Sequence, residues 1–194
     1  MSLDIGEEAL TALDGYAAVP IAFVVDTILE VSLTDGGLGG MSLTESAVGD
    51  PYVKDYDATE GDGPARWPER FDISNWGLVS ARRDGARVGG AVIAFRTAGL
   101  RMLGGRDDVA VLWDIRVSPA ERGAGIGSAL FRAAGDWAAG RGCGWLKIET
   151  QNVNAAACRF YQKVGCTLGR HRPVRLSRPA SRGAAAVVEG TGIA

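Results

Sequence analysis

Histidine and cysteine are scarce in this chain. Its 194 residues include one histidine and three cysteines. These numbers argue against a zinc site built from the two residue types and against a framework of disulfide bonds, so we expect no bound metal. The odd cysteine count favours a reducing compartment, and we therefore expect a cytoplasmic protein.

Strong net charge and long apolar runs are also missing. The formal net charge is −2, so no basic field draws the chain to nucleic acid or to anionic lipid. The apolar run at residues 19–25 is too short to cross a bilayer, and residues 1–8 are acidic where a signal peptide would be basic. We therefore expect neither nucleic acid nor a membrane among the partners.

What the sequence does contain is the composition of a soluble globular domain, with 46% apolar and 23% charged residues. Apolar and polar residues alternate in residues 21–33 and 109–117, which predicts two half-buried strands. The second alternation places Asp114 and Arg116 on the polar face. The pair Asp84–Gly85 predicts a hairpin turn.

Helical periodicity follows in the second half of the chain. Apolar residues recur with a period of 3.6 over residues 126–138 and 155–164, which predicts two helices around a strand at 145–150. Asn152 or Asn154 can cap the second helix. The order strand, helix, strand, helix after the hairpin indicates an α/β fold with a parallel pair of strands.

Residues 44–74 are unusually acidic. They contain eight acidic and three basic side chains, a net charge of −5, with four aromatic residues interleaved. One interpretation is a solvated loop with a short helix. The other is an acidic, aromatic-lined wall for a cationic ligand. The four aromatic residues are Tyr52, Tyr56, Trp67 and Phe71.

The segment that points to chemistry is RGAGIGS, from Arg122 to Ser128, between a predicted strand and a predicted helix. Glycines there let backbone N–H groups approach an anion, and the helix N-terminus favours negative charge. A P-loop is excluded because no Gly-Lys-Ser/Thr follows. A dinucleotide-binding oxidoreductase remains an alternative, with Glu149 as the ribose-binding acid.

The same segment matches the Q/R-x-x-G-x-G/A signature of the GNAT superfamily of N-acetyltransferases, and an N-x-x-A-x-x-F-Y-x-x-x-G pattern follows it. Residues 51–56, 149–152 and 156–158 also resemble streptothricin acetyltransferases. The resemblance implies a mixed, mainly antiparallel sheet flanked by helices, with a splayed parallel strand pair that admits acetyl-CoA. The residues of the second pattern are Asn154, Ala157, Phe160, Tyr161 and Gly165.

The resemblance also implies roles for individual residues. Tyr161 would protonate the departing thiolate, and Asp114 or Glu149 would take the proton of the attacking amine, with Asp114 ranked first and water as a third candidate. Cys158 lacks a histidine partner, which argues against a covalent route. The residues expected to bind acetyl-CoA are Ile115, Val117, Arg122, Gly123, Ala124, Gly125, Ile126, Gly127, Ser128 and Asn154.

The resemblance therefore implies acetyl transfer to a primary amine of a small cationic acceptor, such as an antibiotic of streptothricin type, with antibiotic resistance as the consequence. Alternatives are acetylation of a protein N-terminus or lysine, and a non-catalytic acyl-CoA-binding module. A homodimer is also compatible with the resemblance.

The end of the chain departs from the superfamily pattern. We expect an N-acetyltransferase domain at residues 1–169 and a divergent, mobile tail at 170–194. The tail shows no periodicity, and no aromatic residue follows Tyr161.

Overall fold

The computed structural model describes residues 2–58, 63–172 and 185–192, and from residue 169 onwards it describes the backbone alone. The strands are β1 (Leu3–Glu8), β2 (Phe23–Leu33), β3 (Met41–Lys54), β4 (Gly77–Arg83), β5 (Ala86–Ala94), β6 (Val109–Val117), β7 (Trp145–Gln151), β8 (Thr167–Arg172) and β9 (Ala185–Gly192). The α-helices are α1 (Leu13–Ala17), α2 (Trp67–Arg70), α3 (Ile126–Ala139) and α4 (Ala155–Lys163).

The chain divides into two compact units. Unit 1 consists of Met1–Ala22, Asp55–Ile148 and Gly190–Ala194, and unit 2 consists of Phe23–Lys54 and Glu149–Glu189. In unit 1 the strands follow the order β1-β4-β5-β6-β7. All neighbours in this order are antiparallel except β6 and β7, which run parallel.

Two adjacent glycines let helices approach both faces of this sheet. A Cβ atom on Gly90 would lie 2.8 Å from the Tyr16 ring of α1, and a Cβ atom on Gly89 would lie 3.2 Å from Leu130 of α3. Successive residues of a strand point to opposite faces, so α1 and α3 cover opposite sides of β5. The absence of side chains at these two positions permits the close packing.

The α1 side of the sheet carries an aromatic cluster formed by Trp67, Phe71, Trp76 and Trp113. Ring centroids within it are 5.3–6.3 Å apart. The Trp76 indole N–H donates to Thr97 Oγ1 over 2.7 Å, so its polar atom is satisfied. Trp67 is buried in the core here and Phe71 is partly buried against it, so both serve this packing rather than a wall for a ligand.

Unit 2 contains an irregular antiparallel ribbon and the helix α4. The ribbon pairs β2 with β3, and its register shifts between Val25 and Thr27. Leu29 packs on Ala155 and Cys158 of α4. The Asn152 side-chain amide also donates to the Leu29 carbonyl oxygen over 2.9 Å, and the Leu29 N–H returns a bond to the Asn152 carbonyl.

The predicted elements agree with the structure over most of the chain. The mixed, mainly antiparallel sheet with one parallel pair is confirmed, as are the hairpin at Asp84–Gly85 and the helices at 126–138 and 155–164. The sequence pattern of residues 1–22 predicts neither β1 nor α1, because apolar and polar residues show no clear period there. No helix within the described stretches has both the length and the apolar character needed to span a membrane.

The structure also forms the antiparallel pair β8 and β9, whose second strand the sequence did not predict. Backbone pairing needs no apolar periodicity, which explains why the pattern missed it. Residues 173–184, 193 and 194 of the proposed tail lie outside the described residues, and the proposed division at residue 169 stays a prediction.

We expect deletion of residues 179–194 to leave the melting temperature and acetyl-CoA binding nearly unchanged. The segment contains only three large apolar side chains, Val187, Val188 and Ile193, too few to offset the entropy of ordering sixteen residues. Thermal denaturation of the full and shortened chains tests this. A large fall in melting temperature would show that β9 stabilises the domain.

Candidate active site

The RGAGIGS segment forms an open backbone cradle at the start of α3. Gly123 and Gly125 have φ angles of 83° and 82°, in the left-handed region that favours glycine. Gly125 is the N-cap residue of α3, and no side chain caps the helix. The first N–H groups of a helix have no partner within it, so these amides are available to an anion.

The space in front of the cradle is open. A Cβ atom on Gly123 or Gly125 would meet no atom of the described residues within 4 Å. Ile126 is buried and anchors the first turn to the core, whereas the four residues before it are exposed. Packing alone therefore does not require glycine at positions 123 and 125. The left-handed backbone does.

The Arg122 side chain connects the cradle to backbone carbonyl groups of neighbouring segments. Its guanidinium donates to the carbonyl oxygens of Val117 at 3.1 Å, Ala22 at 3.2 Å and Pro20 at 3.4 Å. These bonds join the beginning of the cradle to the end of β6. Arg122 therefore fixes the loop through its side chain, and the following residues present the backbone groups.

The second part of the site is an edge of β6 that pairs with no other strand among the described residues. The parallel pairing with β7 ends at Leu112 and Ile148, while β6 continues to Val117. The Ser118 N–H donates to the β5 residue Val88 over 2.8 Å. Backbone groups alternate between the two edges of a strand, so the N–H groups of Ile115 and Val117 point away from β5. An extended ligand can pair with them as an added strand.

A β-bulge at Trp113 lies where this edge opens. Val92 and Ile93 of β5 pair with Asp114 and Leu112, which leaves Trp113 as an extra residue in β6. The bulge shifts the alternation of side chains by one position. Asp114 therefore lies on the α1 side of the sheet, together with Val111 and Trp113. Simple alternation predicts that it lies on the opposite face from these two residues.

Tyr16, Asp57, Asp114 and Arg116 form a polar network beside this edge, in which Tyr16 and Arg116 are buried and the two carboxylates are partly buried. The Tyr16 hydroxyl donates to Asp114 Oδ1. Arg116 donates to Asp114 Oδ2 over 2.7 Å and to Asp57 Oδ2 over 2.8 Å. Its guanidinium also lies 4.8 Å from the centroid of the Tyr16 ring. The network holds one cation between two carboxylates.

Two shifted pKa values describe the protonation of this network. Burial, together with the Asp114 carboxylate, raises the pKa of the Tyr16 hydroxyl well above its ordinary value, so the hydroxyl stays protonated and donates. Burial alone would lower the pKa of Arg116, but the hydrogen bonds and charge of Asp114 outweigh it and raise the pKa. Arg116 is therefore a permanent cation.

Unit 2 carries the other predicted site residues. Tyr161 is buried on α4, with its ring centroid 5.2 Å from that of Phe160. Asn154 caps α4, because its side-chain oxygen accepts the Ala157 N–H over 3.1 Å. Glu149 in β7 is exposed. Within this unit the residues of the N-x-x-A-x-x-F-Y pattern thus belong to one helix and its cap.

Cys158 is poorly suited to act as a nucleophile. Burial raises the pKa of its thiol to about 11, so the thiolate is scarce near neutral pH. Its sulfur lies 3.8 Å from the Gln151 carbonyl oxygen. This environment agrees with direct transfer rather than an acyl-cysteine route.

The acidic segment is only partly available to a ligand. Asp57 pairs with Arg116, and Asp55 Oδ1 accepts the Asp57 N–H over 3.0 Å. Residues 59–62 of the segment lie outside the described residues. Sequence reasoning missed the pairing of Asp57, because the two partners are 59 residues apart and no local pattern joins them.

Sequence reasoning also missed a pair of buried acceptors. Gln151 Oε1 and Asn152 Oδ1 are buried and have no hydrogen-bond partner among the described residues. The Asn152 amide nitrogen donates to Leu29, which sets the orientation of that carboxamide. Buried acceptors normally bind a donor, so this end of β7 can receive one from water or from a ligand.

Comparison with known proteins identifies the family. Residues 46–166, more than half of the chain, match the acetyltransferase (GNAT) family. The chain belongs to the GNAT acetyltransferase family. The predictions of an acetyltransferase fold, of acetyltransferase activity and of acetyl-CoA as the donor are thereby confirmed. The dinucleotide-binding alternative is set aside.

Individual relatives within the GNAT family are similar over most of their length. A streptothricin acetyltransferase from Streptomyces lavendulae is 32% identical over 158 residues, which cover 81% of this chain and 75% of the relative. A streptothricin acetyltransferase from Escherichia coli is 28% identical over 147 residues, or 76% and 71% of the two chains.

Solved structures agree with these relatives. The crystal structure of a nourseothricin acetyltransferase matches with a TM-score of 0.73 and 26% identity, over 100% of both chains. A Bacillus anthracis protein assigned as a streptothricin acetyltransferase, in complex with acetyl coenzyme A, matches with a TM-score of 0.76 and 25% identity. That match covers 97% of this chain and 98% of the other.

Proposed function

We propose that this GNAT enzyme acetylates a primary amine of a small cationic antibiotic of streptothricin type. The observation that carries the proposal is the 32% identity to the Streptomyces lavendulae streptothricin acetyltransferase over 81% of this chain. The structural neighbour that binds acetyl coenzyme A supports the same donor. Acetylation of the amine removes a positive charge from the antibiotic, and resistance would follow.

The donor would bind along unit 1. The open cradle from Arg122 to Ser128 suits the pyrophosphate, because it offers backbone N–H groups and the positive end of a helix dipole. The free edge at Ile115 and Val117 suits the pantetheine arm as an added strand. Asn154 would contact that arm or anchor its own loop.

The chemistry would be a direct transfer. The acceptor ammonium first loses a proton to a base, and the neutral nitrogen then attacks the thioester carbonyl carbon. The Val117 N–H would polarise the carbonyl oxygen as negative charge develops on it. As the C–N bond forms and the C–S bond breaks, Tyr161 would donate its hydroxyl proton to the departing sulfur. The nitrogen would lose its second proton to become the neutral amide, and that proton would restore the Tyr161 hydroxyl.

The identity of the base is a separate part of the proposal. The sequence favours Asp114 as the base, but its oxygens accept hydrogen bonds from Tyr16 and Arg116. Glu149 is exposed, and within the described part of the chain its side chain makes no comparable hydrogen bond. Water remains the third candidate, and all three stay predictions.

The cationic nature of the acceptor leads to a test by charge and salt. We expect the triple substitution of Asp55, Glu60 and Asp62 by the matching amides to raise KM for streptothricin and to spare KM for acetyl-CoA. Asp57 is left unchanged because Arg116 holds it. The effect should shrink as salt rises, because exposed charges are screened within about 8 Å at physiological ionic strength.

The matched control neutralises three exposed acids elsewhere in unit 1, Asp4, Asp107 and Asp136, and changes net charge equally. Thiol release is measured with streptothricin, with an aminoglycoside and with a peptide that has a free N-terminus and a lysine. Equal KM values for both triple variants would remove the acidic segment from the proposal. Turnover of the peptide alone would favour the protein-acetylating alternative.

Two further parts of the proposal concern the state of the protein. The three cysteines are free and buried, which supports a reducing compartment such as the cytoplasm. A homodimer is compatible with the family, and sedimentation of the purified chain tests it.

A further inference from the structure

Arg116 is a buried polar group of unit 1. A guanidinium has five N–H donors, and five hydrogen bonds from Arg116 reach Asp114, Asp57 and the Val19 carbonyl oxygen. Only 1% of its side chain is exposed. The side chain therefore has one well-defined orientation.

A buried ion pair of this kind is a poor source of stability. Its desolvation offsets much of the attraction, and an apolar side chain of similar size is often as stable. What the guanidinium provides is geometry, because its planar fork fixes the groups that it joins. Here the guanidinium joins β6 to the carbonyl of Val19, which precedes β2, and to the carboxylate of Asp57, which follows β3.

The backbone of Arg116 lies between the two residues whose N–H groups face the open edge, Ile115 and Val117. A strand without a neighbour on one side loses the ladder of hydrogen bonds that normally holds it. On β6 the side chain of Arg116 replaces part of that support. Its anchors, Val19 and Asp57, are close in sequence to the points where the chain leaves unit 1 at Ala22 and returns at Asp55.

We propose that Arg116 is a positioning residue for donor binding, which through Asp57 and the Val19 carbonyl fixes the stretch of β6 whose free edge receives acetyl-CoA. This inference rests on the proposed function, since it takes that edge as the donor site. Asp57 does not touch the donor in this account. It acts through Arg116.

The test is the substitution Asp57→Asn, measured by calorimetry with acetyl-CoA in the absence of any amine. Asp114 still balances the charge of Arg116 in this variant, so the fold should be retained. We expect the affinity for acetyl-CoA to fall by about tenfold, within the range seen for residues that act through others. Hydrogen exchange of the Ile115 and Val117 amides should become faster.

The matched control is Glu8→Gln, which removes a carboxylate from another largely buried arginine of the same sheet, Arg87, whose side chain is 9% exposed. We expect this variant to have a lower melting temperature and an unchanged affinity for acetyl-CoA. The inference is wrong if both variants lose affinity in proportion to melting temperature. It is equally wrong if Asp57→Asn keeps its affinity for acetyl-CoA and changes only KM for the amine, because Asp57 would then contact the acceptor.

These outcomes are separate from failure of the proposed function. If a substitution in the cradle leaves acetyl-CoA binding intact, the cradle is not the donor site, and that part of the proposed function is wrong. A normal effect of the cradle substitution together with an unchanged Asp57→Asn variant would overturn only the positioning role of Arg116.

Discussion

Replacing Tyr161 by phenylalanine is expected to lower kcat by about 10²-fold or more, the usual effect of removing a positioned acid. The affinity for acetyl-CoA should hardly change, because the ring still packs on α4 beside Phe160. Steady-state kinetics with saturating acceptor gives kcat, and calorimetry gives the affinity. The combination distinguishes a proton donor from a side chain that only fills the core.

The matched control is Tyr52→Phe, which removes a hydroxyl from another tyrosine of unit 2. Its kcat at saturating acceptor should stay within about twofold of the unchanged enzyme, because Tyr52 belongs to the acidic segment and a contact with the acceptor would change KM alone. If Tyr161→Phe behaves in the same way, Tyr161 is a core residue and the leaving thiolate obtains its proton elsewhere.

Replacing Gly125 by valine is expected to abolish binding of acetyl-CoA. The β-branched side chain would occupy the open space before the cradle and keep the pyrophosphate from the backbone amides. The substitution also strains a backbone with φ of 82°. A loss of binding is therefore informative only against a control that carries equal strain.

Gly142, just after α3, provides that control. Its φ angle is 81°, and a Cβ atom there would also meet nothing within 4 Å. Gly142→Val should lower the melting temperature about as much as Gly125→Val and leave acetyl-CoA binding unchanged. Equal affinity in both variants would mean that the glycines of the cradle serve only the turn of the chain.

The parts of the site that could be predicted are those coded locally. A glycine that adopts positive φ, a helix that begins directly after it and an asparagine that caps the next helix all lie within a few residues of the groups they affect. The start of α3 at Ile126 therefore agrees with the sequence pattern, and of the two candidate caps the structure selects Asn154. The roles proposed for them await the experiments above.

The parts that could not be predicted depend on distant contacts. Simple alternation in β6 placed Asp114 opposite Trp113, but one extra residue in the bulge brings both to the α1 side of the sheet. The pattern cannot reveal such an insertion, because it depends on the register with β5. The same limit applies to Asp57, whose partner Arg116 becomes a neighbour only after the sheet has formed.

The aromatic residues of the acidic segment illustrate a further ambiguity. Trp67 and Phe71 are aromatic residues in an acidic segment, a combination that is typical of a site for a cationic ligand. In the structure, however, both pack with Trp76 and Trp113. Aromatic side chains serve cores and binding sites through the same apolar surface. Only the tertiary contacts decide between these uses, and here they favour the core.

The central claim is that the chain moves an acetyl group from acetyl-CoA to an amine of a streptothricin-type antibiotic. Mass spectrometry of streptothricin after incubation with the purified protein and acetyl-CoA tests it most directly. The account predicts a product heavier by one acetyl group, formed in equal amount to the free thiol released. Unmodified streptothricin, with acetyl-CoA bound but intact, would contradict it.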